Sequence, residues 1–375
     1  MEFSCPSKEL KKVLTIVEKS VPQKSSIASL QNFYVLLEGN TLKFRGNNLE
    51  MGIENQLPVS AVKEQGSFLV QAKTLSGIVS KIEDETINFT VDDQQKITIK
   101  GEKVDFDLLG ASTQDYPVFP NIESGQTLQI KAEDLVSLIK HTLISVSYDE
   151  TKQFLNGILM KSEGDKLCFV STDGYRLSVK NQVITPLEMD ISSIVPYKTI
   201  SEVQRILSTC SPSSTIDITI SEKQIVFKFD DIVIISRLIQ GQFPDYNQVC
   251  PKQIENSIKI NREDFLQASE RASIIAAVSN NVARLEFSTN QLTMYANAKG
   301  MGDFQESIDI DREQGDTELK IAFNIRLLLD VIKVSSAQYL HIGFNNELSP
   351  CQITIENDDS FKYIIMPIRT TDYQA

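Results

Sequence analysis

The chain repeats itself about every 125 residues, three times over its 375. Three leucines in similar alternating apolar stretches lie 125 residues apart, at Leu42, Leu167 and Leu292. Repeats of about 20 to 50 residues build solenoids or propellers, whereas a unit of this length can enclose its own hydrophobic core. The sequence therefore predicts three copies of one domain. We place these domains at residues 1–124, 125–252 and 253–375.

Two further landmarks keep nearly the same step. A basic residue occupies one place in every repeat, because Lys73 and Lys198 lie 125 residues apart and Arg326 follows 128 residues later. An Asp-Tyr pair recurs at 115–116, 245–246 and 372–373. The last pair indicates that the C-terminal tail from Thr370 to Ala375 retains the start of an interdomain linker.

Each repeat has the pattern of an α+β unit. It opens with an amphipathic helix, as Leu10, Leu14 and Val17 show by their helical spacing in the first repeat, and a second helix follows in the middle. Short alternating apolar segments separated by turn residues indicate antiparallel strands. The six helices are predicted at residues 7–20, 72–82, 131–146, 196–207, 261–276 and 324–335.

Composition is that of an ordinary globular protein, with 41% hydrophobic and 23% charged residues. No apolar run reaches the roughly 18 residues that span a bilayer, and the N-terminus lacks a signal-peptide pattern, which predicts a cytoplasmic location. The five cysteines are scattered and never form a Cys-x-x-Cys pair, so we expect reduced structural thiols. No cofactor and no metal are predicted.

The net charge of −13 argues against nucleic acid as a partner, unless the charge is sorted over the molecule. The six predicted helices carry 14 basic and 9 acidic residues, which leaves an acidic remainder. One interpretation is a surface that attracts polyanions only along its helices. The alternative is that solvated helix faces are simply rich in lysine. The basic residue shared by the repeats favours the first interpretation.

No catalytic constellation is apparent. His141 and His341 have no potential ligand at metal-binding spacing, and phosphate-loop, dinucleotide and nucleophile-elbow motifs are absent. The acidic pairs beginning at Asp92, Asp230 and Asp358 are predicted to lie in solvated hairpin turns rather than in an acid/base site. The sequence therefore predicts a protein that is not an enzyme, although an unknown activity of these acidic turns stays open as an alternative.

Several short motifs, in a fixed order, resemble a known family. They are Leu155-Asn-Gly-Ile, Ser171-Thr-Asp-Gly-Tyr-Arg-Leu177, Ile194-Val-Pro, Gln242-Phe-Pro-Asp-Tyr246 and Tyr363-Ile-Ile-Met-Pro-Ile-Arg369. Together with the triple repeat, they resemble the β sliding clamp of bacterial DNA polymerase III over essentially the full length. One departure is Asn247-Gln248, which stands where the family often has a basic pair, so less electrostatic help is expected in partner binding.

The resemblance implies three tandem copies of a two-helix, antiparallel-sheet clamp domain, which form a ring as a head-to-tail homodimer. It implies a replication processivity factor that encircles duplex DNA without sequence preference and tethers DNA polymerase III, the clamp loader and other replication or repair proteins. The alternative is a cytosolic three-domain scaffold that binds proteins but no DNA.

The resemblance and the repeat also imply three sets of site residues. The partner-peptide groove is expected at Leu155, Thr172, Gly174, Tyr175, Arg176, Leu177, Pro244, Gln248, Val249, Ile364, Met366, Pro367, Ile368 and Arg369. DNA contacts are expected at Lys24, Lys73, Lys152, Lys198, Arg205 and Arg326. The dimer interface is expected at Phe106 and Leu108, which should alternate outward from a strand, and at Ile274 and Ile275. The competing interpretations are a plain hairpin with a core edge strand at the groove, and intradomain core at the interface.

Overall fold

The structure is a computed structural model that describes residues 1–120, 124–315 and 318–369. The third Asp-Tyr pair, Asp372-Tyr373, and the linker start predicted in the tail lie outside these residues. All six predicted helices are present within two or three residues of their expected ends. Helical spacing of apolar residues located them, because each helix buries one stripe of side chains against a sheet.

The first repeat contains helices α1 (Ser7–Val17) and α2 (Ala72–Lys81). Its strands are β1 (Glu2–Pro6), β2 (Asn32–Glu38), β3 (Thr41–Asn47), β4 (Met51–Pro58), β5 (Ser60–Glu64), β6 (Gly66–Gln71), β7 (Thr86–Val91), β8 (Lys96–Lys100) and β9 (Asp105–Leu109). Leu10, Leu14 and Val17 on α1 are buried, as their spacing predicted.

The second repeat contains helices α3 (Ala132–Leu143) and α4 (Tyr197–Leu207). Its strands are β10 (Gln126–Lys131), β11 (Gly157–Glu163), β12 (Lys166–Thr172), β13 (Arg176–Val183), β14 (Ser192–Pro196), β15 (Thr215–Ile220), β16 (Gln224–Phe229) and β17 (Ile232–Arg237). Helix α3 ends three residues earlier than expected, and the following segment turns back through a hydrogen bond from Ser145 N to Thr142 O.

The third repeat contains helices α5 (Arg262–Ala276) and α6 (Ile325–Val334). Its strands are β18 (Asn256–Asn261), β19 (Val282–Phe287), β20 (Gln291–Ala298), β21 (Gly302–Gln314), β22 (Leu319–Asn324), β23 (Tyr339–Phe344), β24 (Cys351–Ile355) and β25 (Asp358–Ile365). The Asn261 side chain caps α5 by accepting hydrogen bonds from Glu263 N and Asp264 N, as expected.

The described strands form three antiparallel sheets in two compact units. One unit consists of Met1–Glu133, Leu187–Met189 and Ser201–Leu238, and the other of Asp134–Pro186, Asp190–Ile200 and Ile239–Ala375. The first unit holds the sheets β5-β1-β7-β8-β9 and β10-β15-β16-β17-β4-β3-β2-β6, and the second holds β14-β11-β12-β13-β25-β24-β23-β18-β21-β20-β19-β22.

Neighbouring repeats therefore share sheets. Strand β17 of the second repeat pairs with β4 of the first, and β25 of the third pairs with β13 of the second. The hydrogen-bond ladders continue from one repeat into the next because an edge strand of one repeat has unpaired backbone groups that bind the neighbouring repeat. The two compact units consequently cut through the second repeat, and the predicted domain limits at 124 and 252 stay predictions.

One predicted turn is wrong. Asp358 begins strand β25, and the turn lies just before it at Glu356 and Asn357. The Asp358 carboxylate accepts a hydrogen bond of 2.6 Å from the buried ammonium group of Lys180 on β13. A buried cation requires such a partner, so this aspartate is held by tertiary structure and is not merely a solvated turn residue.

Candidate functional site

A tight hairpin joins β12 and β13 at the centre of the predicted groove. The Asp173 carboxylate accepts hydrogen bonds from Tyr175 N at 2.9 Å and from Arg176 N at 3.0 Å. The Thr172 hydroxyl donates to Arg176 O at 2.6 Å and accepts from Gly174 N at 3.1 Å. Gly174 has a φ of 93°, a conformation that glycine adopts without steric cost. Local sequence thus fixes the shape of this hairpin.

Strand pairing brings the C-terminal motif beside the hairpin. Leu177 lies opposite Ile364 in the β13–β25 ladder, and Met366 N donates to Tyr175 O at 2.9 Å. Residues directly opposite in an antiparallel pair point to the same face, so Leu177 and Ile364 form one apolar floor. The structure therefore joins two motifs that are almost 190 residues apart in sequence.

This floor belongs to a larger apolar cluster, which we call the groove cluster. Its buried members are Leu159, Val170, Leu177, Val179, Ile194 and Ile364. The partly buried residues packed against it are Cys168, Ile239, Phe243, Tyr246 and Cys250. Sequence reasoning found only Leu177 and Ile364 of these, although the alternation of Cys168 and Val170 on β12 was a signal for the same face.

Several predicted groove residues remain open to solvent beside this floor. Val249 is 43% exposed and Met366 is 37% exposed, and Tyr175 is also exposed at the tip of the hairpin. Exposed positions further include Gly174, Pro244, Gln248 and Arg369, whereas Thr172, Pro367 and Ile368 are half-buried. Leu155 is buried, outside the groove cluster. Exposed apolar walls around a buried apolar floor are typical of a peptide-binding surface.

Arg176 does not present its charge to this surface. Its side chain is only 9% exposed, and its guanidinium donates to Asp173 at 3.0 Å and to Asp330 on α6. Burial by itself would lower the pKa of Arg176, but Tyr363 and the two carboxylates outweigh it and raise the pKa. The hydroxyl of Tyr363 donates to Leu327 O on α6 at 2.8 Å. Arg176 and Tyr363 thus tie the hairpin and β25 to α6.

The six predicted DNA-contact residues all have exposed side chains. Lys73, Lys198 and Arg326 each stand at the second residue of a helix, namely α2, α4 and α6. Arg205 forms an ion pair of 3.2 Å with Glu202, whereas the other five form no ion pair with any residue that the structure describes. The basic residue that the repeat predicts therefore occupies the same structural position, the second residue of a helix, in all three repeats.

The predicted outward alternation of Phe106 and Leu108 is wrong. They lie opposite the fully buried Ile99 and Ile97 on β8, so their side chains point to the core face of the sheet. Phe106 nevertheless stays exposed and Leu108 half-buried, because β9 is an edge strand. In the second unit, Ile274 on α5 is 69% exposed, whereas Ile275 packs against the core of the third repeat.

Burial shifts the pKa of several titratable groups among the described residues. Burial raises the pKa of Cys5 to about 12 and lowers the pKa of His141, which keeps both groups neutral near pH 7. His341 lies 2.9 Å from Glu313, a spatial partner that the sequence spacing did not reveal. Within residues 1–120, 124–315 and 318–369, no group of three or more His, Cys, Asp and Glu could hold a metal ion.

None of the described helices is both long and apolar enough to cross a lipid bilayer.

Comparisons with known proteins agree with this architecture over the whole chain. The N-terminal, central and C-terminal domains of the DNA polymerase III beta subunit match residues 1–120, 129–245 and 247–369. The beta sliding clamp of Bacillus subtilis is 29% identical over 99% of this chain and 100% of its own length.

Solved structures give the same result. The DNA polymerase sliding clamp of Bacillus subtilis has a TM-score of 0.94 at 29% identity, with 99% of both chains covered. A sliding clamp of Pseudomonas aeruginosa bound to griselimycin has a TM-score of 0.94 at 25% identity, covering 99% of this chain and 100% of that one.

The fold, the triple repeat and the similarity to known clamps together place the chain in the class of DNA sliding clamps. The chain belongs to the DNA polymerase III beta subunit family, because all three domains of that family match it in order. The resemblance recognised in the sequence and the three-domain α+β fold are thereby confirmed, and so is the function of a sliding clamp in DNA replication.

Proposed function

We propose that the chain acts without catalysis as a processivity factor in the cytoplasm. Two copies close head to tail around duplex DNA, and each tethers DNA polymerase III and other replication or repair proteins through the groove between β13 and β25. The observation that carries the DNA part is the exposed basic residue at the second position of α2, α4 and α6.

Helix stability does not explain these three basic residues. The helix macrodipole places partial positive charge at the N-terminus, so a cation in the first turn of a helix is unfavourable. Lys73, Lys198 and Arg326 each introduce this unfavourable charge interaction, one in each repeat. Phosphate groups bind well where basic side chains and helix N-termini meet, which makes contact with the DNA backbone a sufficient reason for the arrangement.

The rest of the surface supports a ring that slides. The chain as a whole carries a net charge of −13, so most of it repels a polyanion. Few phosphate contacts give weak, sequence-independent binding, and enclosure then supplies the retention that affinity does not. The exposed basic residues proposed to contact DNA are Lys24, Lys73, Lys152, Lys198, Arg205 and Arg326.

The groove is suited to short linear peptides. Leu177 and Ile364 offer a buried apolar floor, Val249 is an exposed apolar wall, and Met366 is a deformable one. Peptides with a Gln and a Leu-Phe type pair fit such a surface, because an apolar anchor fills the floor while a few polar contacts fix its orientation. The related Pseudomonas clamp binds griselimycin, which supports a ligand site on this fold.

The dimer interface joins β9 of one copy to the third repeat of the other. Phe106 and Leu108 belong to the core face of their sheet but lack a full cover in their own chain. Ile274 offers an exposed apolar side chain on α5. Covering these residues removes apolar surface from water, which stabilises association by roughly 25 cal/mol per Å².

Topology distinguishes a clamp from an ordinary DNA-binding protein. Protein loaded on a nicked circular plasmid by a compatible clamp loader should stay bound through gel filtration at moderate salt and should be lost when one restriction cut linearises the plasmid. A plasmid whose ends are blocked by a bulky bound protein after cutting serves as the control and should retain it. Equal retention on open linear and circular DNA would contradict enclosure, and a protein scaffold without DNA would never be retained.

A further inference from the structure

The two seams between repeats are built residue for residue on one plan. Gly52 lies opposite Ile235 in the β4–β17 ladder, just as Leu177 lies opposite Ile364 in the β13–β25 ladder. Gly52 and Leu177 lie 125 residues apart, whereas Ile235 and Ile364 lie 129 apart. The step of 125 residues also relates the neighbouring cross-strand pairs of the first two repeats. The pair Tyr34–Arg45 stands in the place of Leu159–Val170, and Tyr34–Leu69 in the place of Leu159–Ile194.

The segments that cover the two seams also correspond. Tyr116 is buried against Leu30 and Leu69 in the first seam, and Tyr246 packs on the groove cluster in the second. Both tyrosines follow an aspartate, and this Asp-Tyr pair aligns the two segments. In that alignment, Phe119 of the first segment corresponds to Val249 of the second. Val249 is exposed beside the buried floor of Leu177 and Ile364, and its counterpart Phe119 is a much larger aromatic side chain.

Phe119 packs over the Gly52–Ile235 pair, at the place in the first seam that corresponds to the Leu177–Ile364 pair of the second. A Cβ atom placed on Gly52 would be 2.8 Å from Phe119 Cε2 and 3.2 Å from Ile235 Cγ2, so the ring rests directly on the backbone of β4. The Arg45 guanidinium lies 5.2 Å from the centre of the Phe119 ring and 5.7 Å from that of Tyr34. Arg45 also pairs with Glu54, so its charge is compensated.

We propose that the β4–β17 seam is a second peptide-binding site that the chain closes with its own Phe119. Its ligand class is a short peptide with an aromatic anchor, because the Arg45 guanidinium offers a cation–π partner in place of the aliphatic Val170. The hydroxyl of Tyr116 is buried without a hydrogen-bond partner among the described residues, which leaves one polar group to meet such a ligand. The proposal rests on the groove of the proposed function as its template.

Phe119→Ala tests the proposal, with Val118→Ala as the matched control. Val118 is 92% exposed, so its truncation removes the same kind of apolar group without uncovering the seam. The probe is a fluorescein-labelled Gln-Leu-Ser-Leu-Phe peptide, titrated calorimetrically against the full-length chain, with a Phe-to-Ala version of the peptide beside it. We expect one peptide per chain for the unmodified protein and for Val118→Ala, and two for Phe119→Ala.

A second variant guards against misfolding of Phe119→Ala, and a variant with a blocked groove separates binding at the second site from binding at the β13–β25 groove. If Phe119→Ala folds poorly by circular dichroism, Phe119→Val takes its place. This variant carries valine, as position 249 does in the β13–β25 seam, and should also bind two peptides. In Phe119→Ala combined with Val249→Glu, the β13–β25 groove is blocked and one aromatic-dependent peptide per chain should remain. Folded Phe119 variants that still bind one peptide overturn the proposal. If the unmodified chain binds no peptide, the proposed β13–β25 groove is overturned instead. Peptide binding that only the Phe119 variants gain would still support the second site.

Discussion

At the scale of single residues, buried charges do more to hold the groove than to contact a ligand. Arg176 was predicted as a groove residue, and the structure places its guanidinium between Asp173 and Asp330, away from solvent. Lys180 is buried likewise and is paired with Asp358. Buried charges persist only where partners satisfy them, so these aspartates position the two strands that form the floor.

Asp330→Asn should therefore weaken peptide binding from a distance. The hairpin would lose its charged link to α6, and peptide affinity should fall about tenfold, a change of about 1.4 kcal/mol in binding free energy. The free energy of unfolding should fall by roughly 1 to 2 kcal/mol, because Asp330 is partly exposed. Fluorescence anisotropy and chemical denaturation measure the two effects.

Asp359→Asn is the matched control for that change, since it neutralises an exposed aspartate on the groove strand β25 itself. Restored affinity in Asp330→Glu would separate positioning from general destabilisation. Unchanged affinity in a folded Asp330→Asn protein would refute the positioning role.

Acid should weaken the link between Lys180 and Asp358. Burial alone would raise the pKa of Asp358, but the hydrogen bonds from Lys180 and Ser360 lower it below its ordinary value of 3.8. A carboxyl with a lowered folded-state pKa stabilises the fold above its unfolded pKa, and this contribution is lost as the pH falls through the folded pKa.

Asp358→Asn should accordingly be less stable than the unmodified protein at about pH 6, and the difference should shrink below about pH 4. Denaturation curves of both proteins over this range, with Asp359→Asn beside them, measure the effect. A difference that does not change with pH would show that the ion pair contributes no linked stability.

At the scale of elements, an edge strand and the helix starts expose the residues that we propose as interface and DNA contacts. Strand β9 is an uncovered edge with apolar residues on its core face, while α5 exposes Ile274. The structure also refines the proposed interface, because Ile275 packs within its own repeat and Ile274 does not.

Ile274→Glu should shift the protein from dimer toward monomer in analytical ultracentrifugation. A charge buried at an interface costs free energy, whereas the same charge on the free monomer remains in water. Val278→Ala, at another exposed apolar position just after α5, is the control and should leave the distribution unchanged. An intact dimer in Ile274→Glu at low micromolar concentration would move the interface elsewhere.

Alanine at both Lys73 and Lys198 should weaken DNA binding equally for all sequences. Each lost phosphate contact should reduce the slope of log K against log salt by about 0.9, so the double variant should lose about 2 units. Titrations of labelled duplexes of two sequences at several salt concentrations measure this slope. Lys81→Ala with Lys166→Ala, which removes two other exposed lysines, provides the control. A loss that depends on sequence would contradict backbone contact.

At the scale of the whole molecule, the described part of the C-terminal segment lies beside the hairpin of the proposed groove. Ile364 forms the floor with Leu177, and Ile368 N donates to Ala322 O at 2.7 Å, so the segment is laid along the third repeat next to the hairpin. Deleting residues 366–375 should abolish binding of a Gln-Leu-Ser-Leu-Phe peptide while the protein stays dimeric. Deleting only 370–375 is the control and should preserve binding. Unchanged peptide affinity in the longer deletion would place the groove elsewhere.

The triple repeat, the six helices and the α+β class follow from the sequence by itself, because amphipathic spacing and turn residues are local properties of the chain. The hairpin around Gly174 is equally local, since neighbouring side chains fix its backbone. The face of Phe106, the carboxylate partners of Arg176 and Lys180, and the cover of Gly52 by Phe119 were decided only by the tertiary structure. Each depends on the register of strands far apart in sequence, and a shift of one residue would turn every side chain to the opposite face.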